Sequence, residues 1–193
     1  MGKVVYGFTS SLDGFIAGPG HDMRWLEETA PPLADGTMER VTSKVGAMLS
    51  GRRGYDAAQA QADERGELTA EAYGGAWDGP QFVLTHRPEE LAGDPHISAL
   101  GGPVEDAIRT ACEAAGDKDL MIVSADIARQ ALQLGLIDEL QIYEAPVFLG
   151  DGTRIFGVPG GCRIDWELVS VDEENLSSAA RVYRPKHRPT AQA

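Results

Sequence analysis

Cysteine is nearly absent from this chain, with two in 193 residues, Cys112 and Cys162. Neither stands in a Cys-x-x-Cys pair or a Cys/His cluster, so neither a disulfide framework nor a metal site is expected. Both read as buried or idle thiols in a reducing compartment. Basic residues are also scarce. Lys plus Arg number 17 against 30 Asp plus Glu, a formal net charge of −13. A surface of that sign repels nucleic-acid phosphates and anionic membranes, so neither is an expected partner. It also means that an anionic ligand needs a local basic patch. No apolar run approaches a membrane span, and the opening MGKVVYGF holds no long apolar stretch or small-residue cleavage site. A myristoylation signal would want Ser or Thr where Tyr6 stands. The expected setting is the cytoplasm.

What is present is ordinary for a globular chain: 42% hydrophobic and 24% charged residues. The length suits one domain with a sizeable core, expected over residues 1–185, with a disordered tail over 186–193. Lys3 to Thr9 reads as a buried strand and Ser10 to Gly20 as a loop. Met38, Val41, Val45 and Met48 stand near helical spacing after Asp35. Met48-Leu49-Ser50 followed by Gly-Arg-Arg-Gly suggests strand, turn, helix. Ala57 to Pro80 reads as helix followed by an excursion. Gln81 to Thr85 is a second strand, and His86 to Pro103 a long loop with three prolines. Val104 to Ala115 is a helix ended by Gly116. Leu120 to Val123 is a strand, Ile127 to Leu134 a helix stopped by Gly135, and Leu140 to Ala145 a strand. Asp165 to Val171 and Ser178 to Tyr183 form an antiparallel pair. Strands alternating with helices predict an α/β fold: a mixed, mostly parallel sheet with helices on both faces and a C-terminal antiparallel strand pair. Such sheets bind ligands outside the carboxyl ends of their strands, here the loops after Thr9, Leu49, Leu84 and Val123.

Four stretches carry motifs. Ser11-Leu12-Asp13-Gly14-Phe15-Ile16-Ala17 is a loop of the form S-x-D-G-x-I-A. Gly51-Arg52-Arg53-Gly54-Tyr55 opens a helix, where backbone N–H groups favour anions. Thr85-His86-Arg87 is a basic island in an acidic chain. The segment Leu134 to Phe156 runs from a helix stop through Asp138-Glu139 into a strand, then Ala145-Pro146 and a Gly-Asp-Gly turn. Together these resemble the dihydrofolate reductase-like superfamily, in the branch of the riboflavin-biosynthesis (RibD) C-terminal domain. The resemblance spans about Lys3 to Pro185. It implies a three-layer sandwich and an NADPH-dependent oxidoreductase acting on a small nitrogen heterocycle. Related proteins are often dimers, so a homodimer is expected.

The same resemblance distributes roles. Asp13 would hold or protonate the substrate, with Trp25 and Trp77 beside it. Trp25 lies in a D-x-x-W element and Trp77 in a Gly-rich segment able to serve as a lid. Ala17, Gly51, Arg52, Arg53, Thr85, His86, Arg87, Val123, Ser124 and Ala125 would meet the cofactor. Arg87 would face a 2′-phosphate, favouring NADPH over NADH. Two positions depart from the family. Gly54 replaces a threonine, and Val123-Ser124 replaces a Gly-Gly pair that lets backbone approach the pyrophosphate closely. That departure keeps two alternatives open: a cofactor-free isomerase, cyclase or lyase using Glu144, Tyr143 and Asp13, or a small-molecule binding protein without turnover. Asp138 and Glu139 read as exposed structural acids.

Overall fold

The computed structural model describes residues 2–29, 36–64, 72–171 and 180–187. Its strands are β1 (Val4–Ser11), β2 (Phe15–Ala17), β3 (Val45–Gly51), β4 (Gln81–Leu84), β5 (Ser98–Leu100), β6 (Asp119–Ile122), β7 (Glu139–Ala145), β8 (Thr153–Arg154), β9 (Trp166–Val171) and β10 (Ala180–Pro185). Its helices are α1 (Arg24–Thr29), α2 (Thr37–Thr42), α3 (Arg52–Glu64), α4 (Val104–Ala115) and α5 (Ala125–Gln133), with short 3-10 turns at Pro19–His21, Ala72–Gly75 and Pro88–Leu91. Among the described residues no helix is long and apolar enough to cross a membrane.

The contacts form two compact units. One holds Met1–Gly2 and Asp35–Ser124, the other Lys3–Ala34 and Ala125–Ala193. In the first unit the strands run β5-β4-β3-β6, and every neighbouring pair is parallel. β3 alternates Val45, Ala47 and Leu49 inward, each 2% exposed or less. α4 buries Val104, Ala107, Ile108, Ala111 and Ala115, a stripe at helical spacing. It lies so close to β3 that a Cβ on Gly46 would stand 2.4 Å from the Ala115 carbonyl oxygen. Glu105 and Asp106 suit the positive end of that helix, and Gly116 ends it at φ +64°.

In the second unit β1 pairs in parallel with β7 over its length, Val5 opposite Glu139 through Ser11 opposite Ala145. β10 lies antiparallel to both β7 and β9. The fold is therefore α/β with a mixed, mostly parallel strand arrangement, as the alternation of elements predicts. β2 and β8 form a separate antiparallel ribbon.

Three local expectations change. The Ser10–Gly20 loop contains β2, because Phe15 and Ala17 both turn inward and pair with β8, more than 130 residues along the chain. The apolar positions Val45 and Met48 do not continue α2, which stops at Thr42; they belong to β3, whose buried residues alternate with period two. The long loop from His86 to Pro103 holds the 3-10 turn at Pro88–Leu91 and β5. Residues 188–193 of the expected tail and part of the segment after α3 lie outside the described residues, while Lys186 N donates to the Asp165 carbonyl at 2.9 Å.

Candidate functional site

In the second unit, β1 and β7 end level with each other, and the loops beyond them are joined. Leu12 N donates to the Val147 carbonyl at 2.9 Å. Ser11, 1% exposed, is the hub. Its hydroxyl donates to Asp13 Oδ1 at 2.6 Å and accepts from Phe15 N at 3.0 Å. Gly14 closes the turn at φ +83°. The Asp13 carboxylate then accepts from Leu149 N at 3.1 Å through Oδ1 and from Gly150 N at 2.7 Å through Oδ2. One side chain thus pins the loop after β7 to the loop after β1. The Ser11 hydroxyl, with the Gly150 and Leu149 amides, holds the Asp13 carboxyl down at about 2 against the opposing effect of burial. Such a group is ionised at neutral pH. In this state the carboxylate serves as a hydrogen-bond acceptor. A carboxylate offers about four acceptor sites. Oδ1 takes the Ser11 and Leu149 donors and Oδ2 the Gly150 amide.

The other expected residues of this unit are placed by the same elements. Ala17 is 5% exposed and paired with Thr153 in the β2–β8 ribbon. Glu144, expected as an acid–base group, is ion-paired to Arg181 of β10. Tyr143 is its neighbour on β7, opposite Thr9 of β1. Ala125 is the first residue of α5. Glu139, expected as an exposed acid, is buried at 4% and held by Lys3 at 2.7 Å and Arg184 at 3.3 Å. Trp25 in α1 is 8% exposed, and its indole N–H has no acceptor among the described residues. A buried donor of that kind is normally satisfied by a ligand or an ordered water.

In the first unit, the carboxyl ends of β3 and β4 are level, with Gly51 opposite Leu84. α3 starts at Arg52 with no intervening turn. Arg52 Nε donates to Asp56 at 2.8 Å and its Nη1 to Glu90 Oε2 at 2.8 Å. Those two carboxylates, Asp56 foremost, hold the guanidinium above its ordinary pKa. Arg87 Nη1 reaches the other oxygen, Glu90 Oε1, at 2.7 Å. Thr85 is buried, and its Oγ1 accepts from Arg87 N at 3.2 Å, fixing the turn that carries Arg87. Arg53 and His86 are exposed beside them. At the end of β6, Val123 N donates to the Leu49 carbonyl at 3.0 Å, and the residue is 37% exposed. Ser124 follows, half-buried.

Two guanidiniums converging on one anionic group is the geometry a phosphate requires. Arg52 and Arg87 are of the residue type that suits a phosphate, and here both pair with Glu90. Sequence reading did not find Glu90. Its only local signal is an acid three residues after Arg87.

Trp77 is differently placed. Its Nε1 donates to the Val45 carbonyl at 3.0 Å, at the amino end of β3, and its ring lies where a Cβ on Gly79 would be, 2.2 Å away. β3 runs six residues on from Val45 to Gly51, about 20 Å of strand. Trp77 is thus pinned at the amino end of β3, the end away from Arg52.

The family model of the RibD C-terminal domain matches residues 2–174. No curated protein matches. A putative riboflavin biosynthesis protein from Shewanella sp. PV-4 superposes with a TM-score of 0.77 at 22% identity, covering 96% of this chain and 99% of that one. The Thermotoga maritima diaminohydroxyphosphoribosylaminopyrimidine deaminase/5-amino-6-(5-phosphoribosylamino)uracil reductase gives 0.65 at 18% identity, covering 95% of this chain and 56% of that larger one. Dihydrofolate reductase from Enterococcus faecalis, complexed with NADP(H), gives 0.59 at 15% identity, covering 96% and 97%. At these identities the structural likeness establishes the fold, which is dihydrofolate reductase-like. With the family model matched along nearly its whole length, the chain belongs to the RibD C-terminal domain family.

Proposed function

We propose that this chain is an NADPH-dependent reductase of a small nitrogen heterocycle, of the pteridine or pyrimidine kind, related to 5-amino-6-(5-phosphoribosylamino)uracil reductase. Family membership supports a reductase. The observation that carries the cofactor is the convergence of Arg52 and Arg87 on one anionic group in a chain of net charge −13. When bound, NADPH supplies hydride to an electrophilic carbon of the ring. Arg52 and Arg87 hold phosphate oxygens, Arg53 and His86 add positive charge, and Ser124 offers a hydroxyl donor. Asp13 stays ionised, and its Oδ2 also receives a ring or amino N–H, positioning the heterocycle. The substrate's proton therefore comes from another donor, with water the available one. The Trp25 N–H, without an acceptor among the described residues, suits a ring carbonyl oxygen.

The test is a titration of the purified protein with NADPH and with NADH, followed by nicotinamide fluorescence. NADPH is expected to bind more tightly. Arg87→Ala removes one charged hydrogen-bond donor, so NADPH affinity should fall by about tenfold or more while NADH affinity holds. Equal weakening of both cofactors would assign Arg87 to the shared diphosphate. No binding of either cofactor overturns the reductase reading.

A further inference from the structure

Arg52 and Arg87 share one carboxylate, Glu90. Glu90 stands in the 3-10 turn Pro88–Leu91, and each of its carboxylate oxygens takes one guanidinium, at 2.8 and 2.7 Å. The turn is fixed independently of that contact. The Tyr55 hydroxyl of α3 bonds Asp94 just beyond the turn, and Asp94 in turn accepts from His96 N at 2.9 Å. Arg52 is itself anchored by Asp56 one helical turn on. The Glu90 side chain is 35% exposed and Arg52 28%, while Arg87 stands 68% exposed at the solvent side. Two positive guanidiniums are matched by two carboxylates, and the local charge sums to zero. A phosphate monoester dianion entering there would have to displace Glu90 and then face its charge nearby.

We propose that Glu90 is a built-in rival to a phosphate monoester, occupying the place that Arg52 and Arg87 would otherwise give it, and that it sets how strongly this chain prefers NADPH to NADH. The inference rests on the reductase reading for the identity of the phosphate, which is the adenosine 2′-phosphate. It does not rest on that reading for the competition itself, which inorganic probes also report. Glu90 acts on affinity without entering the chemistry.

The experiment uses the full chain and the variants Glu90→Gln and Glu89→Gln. Glu89 carries the same charge one residue away and makes no ion pair among the described residues, so it reports the effect of net charge alone. Binding of NADPH, NADH, adenosine 2′-monophosphate and ribose 5-phosphate is followed by calorimetry, and folding by thermal melting. Glu90→Gln should tighten NADPH and adenosine 2′-monophosphate by about tenfold, leave NADH within twofold, and exceed the effect of Glu89→Gln. Tightening of ribose 5-phosphate alone would overturn the inference, because Glu90 would then guard a sugar-phosphate site and not the preference for NADPH. If wild type binds NADH but not NADPH while Glu90→Gln binds both, the competition is stronger than stated and the inference holds. If wild type binds NADPH and Glu90→Gln binds it no better, or no better than Glu89→Gln, the inference is overturned and the reductase reading stands. If no protein binds any of the four, both fall. Should Glu90→Gln melt far below wild type, Glu90→Asp, which keeps the charge but shortens its reach, must loosen the grip on Arg87 and tighten adenosine 2′-monophosphate, or the inference is overturned.

Discussion

Asp13 shows how a motif residue changes meaning once its partners are known. The sequence places an acid in a loop at a strand end, and that much is correct. The three donors that occupy it come from Ser11, Leu149 and Gly150, two of them 136 and 137 residues away. No local pattern reveals them, so its ionised state was not legible. The folded carboxyl sits at about 2, below the ordinary value near 4 for an unfolded chain. A depressed carboxyl contributes stability that is present above about pH 4 and lost as pH falls toward about 2. Ser11→Ala removes the largest cause. We expect the Asp13 carboxyl, followed by carbon NMR, to titrate at a higher pH in that variant. An unchanged titration would show that the two backbone amides alone set it. Glu144 teaches the same lesson, since Arg181 is 37 residues away in sequence and directly beside it in space.

Among elements, helices with a clean stripe and a glycine stop were legible. α4 runs Val104–Ala115, as its spacing predicts, because its period, acidic first turn and Gly116 all agree. β2 was not legible, because three residues carry no period and their partner is β8. The β2–β8 ribbon also contains a sharp steric demand. Gly152 has φ +139°, and a Cβ there would stand 2.0 Å from the Ala17 carbonyl oxygen. Gly150 has φ +77° with open space around it. Gly152→Ala should therefore lower stability by about 2–4 kcal/mol through steric conflict and lost pairing. Gly150→Ala should lose only about 1–2 kcal/mol, from the left-handed backbone alone. Denaturant melts of both variants check this. Equal losses would mean that the ribbon shifts to accommodate the methyl group.

For the whole molecule, an excess of 30 acidic over 17 basic residues makes every internal cation pairing matter more. The buried Glu139 joins Lys3 before β1, Gln141 within β7 and Arg184 in β10. Burial pushes its carboxyl up, but the hydrogen bonds from Lys3, Gln141 and Arg184 pull it down further. Its net depression means the contribution is present above the ordinary carboxylate value and is lost as pH falls through the lowered one. Glu139→Ala leaves Lys3 and Arg184 without their shared anion. Because both cations are partly exposed, we expect a loss of about 2–3 kcal/mol, toward the low end for a broken buried pair. The variant should also begin acid unfolding at a higher pH, read by circular dichroism. The charge balance and the fold class were legible at this scale. The pairing of β1 with β7 was not, and it has a consequence in time. Val5 and its partner Glu139 are 134 residues apart. At about 5–20 residues per second of synthesis, the apolar strand VVYGF waits roughly 7–27 s on the ribosome before β7 emerges. For that interval the nascent chain presents an unpaired hydrophobic edge, which makes this protein a natural client for a chaperone that waits at the exit tunnel.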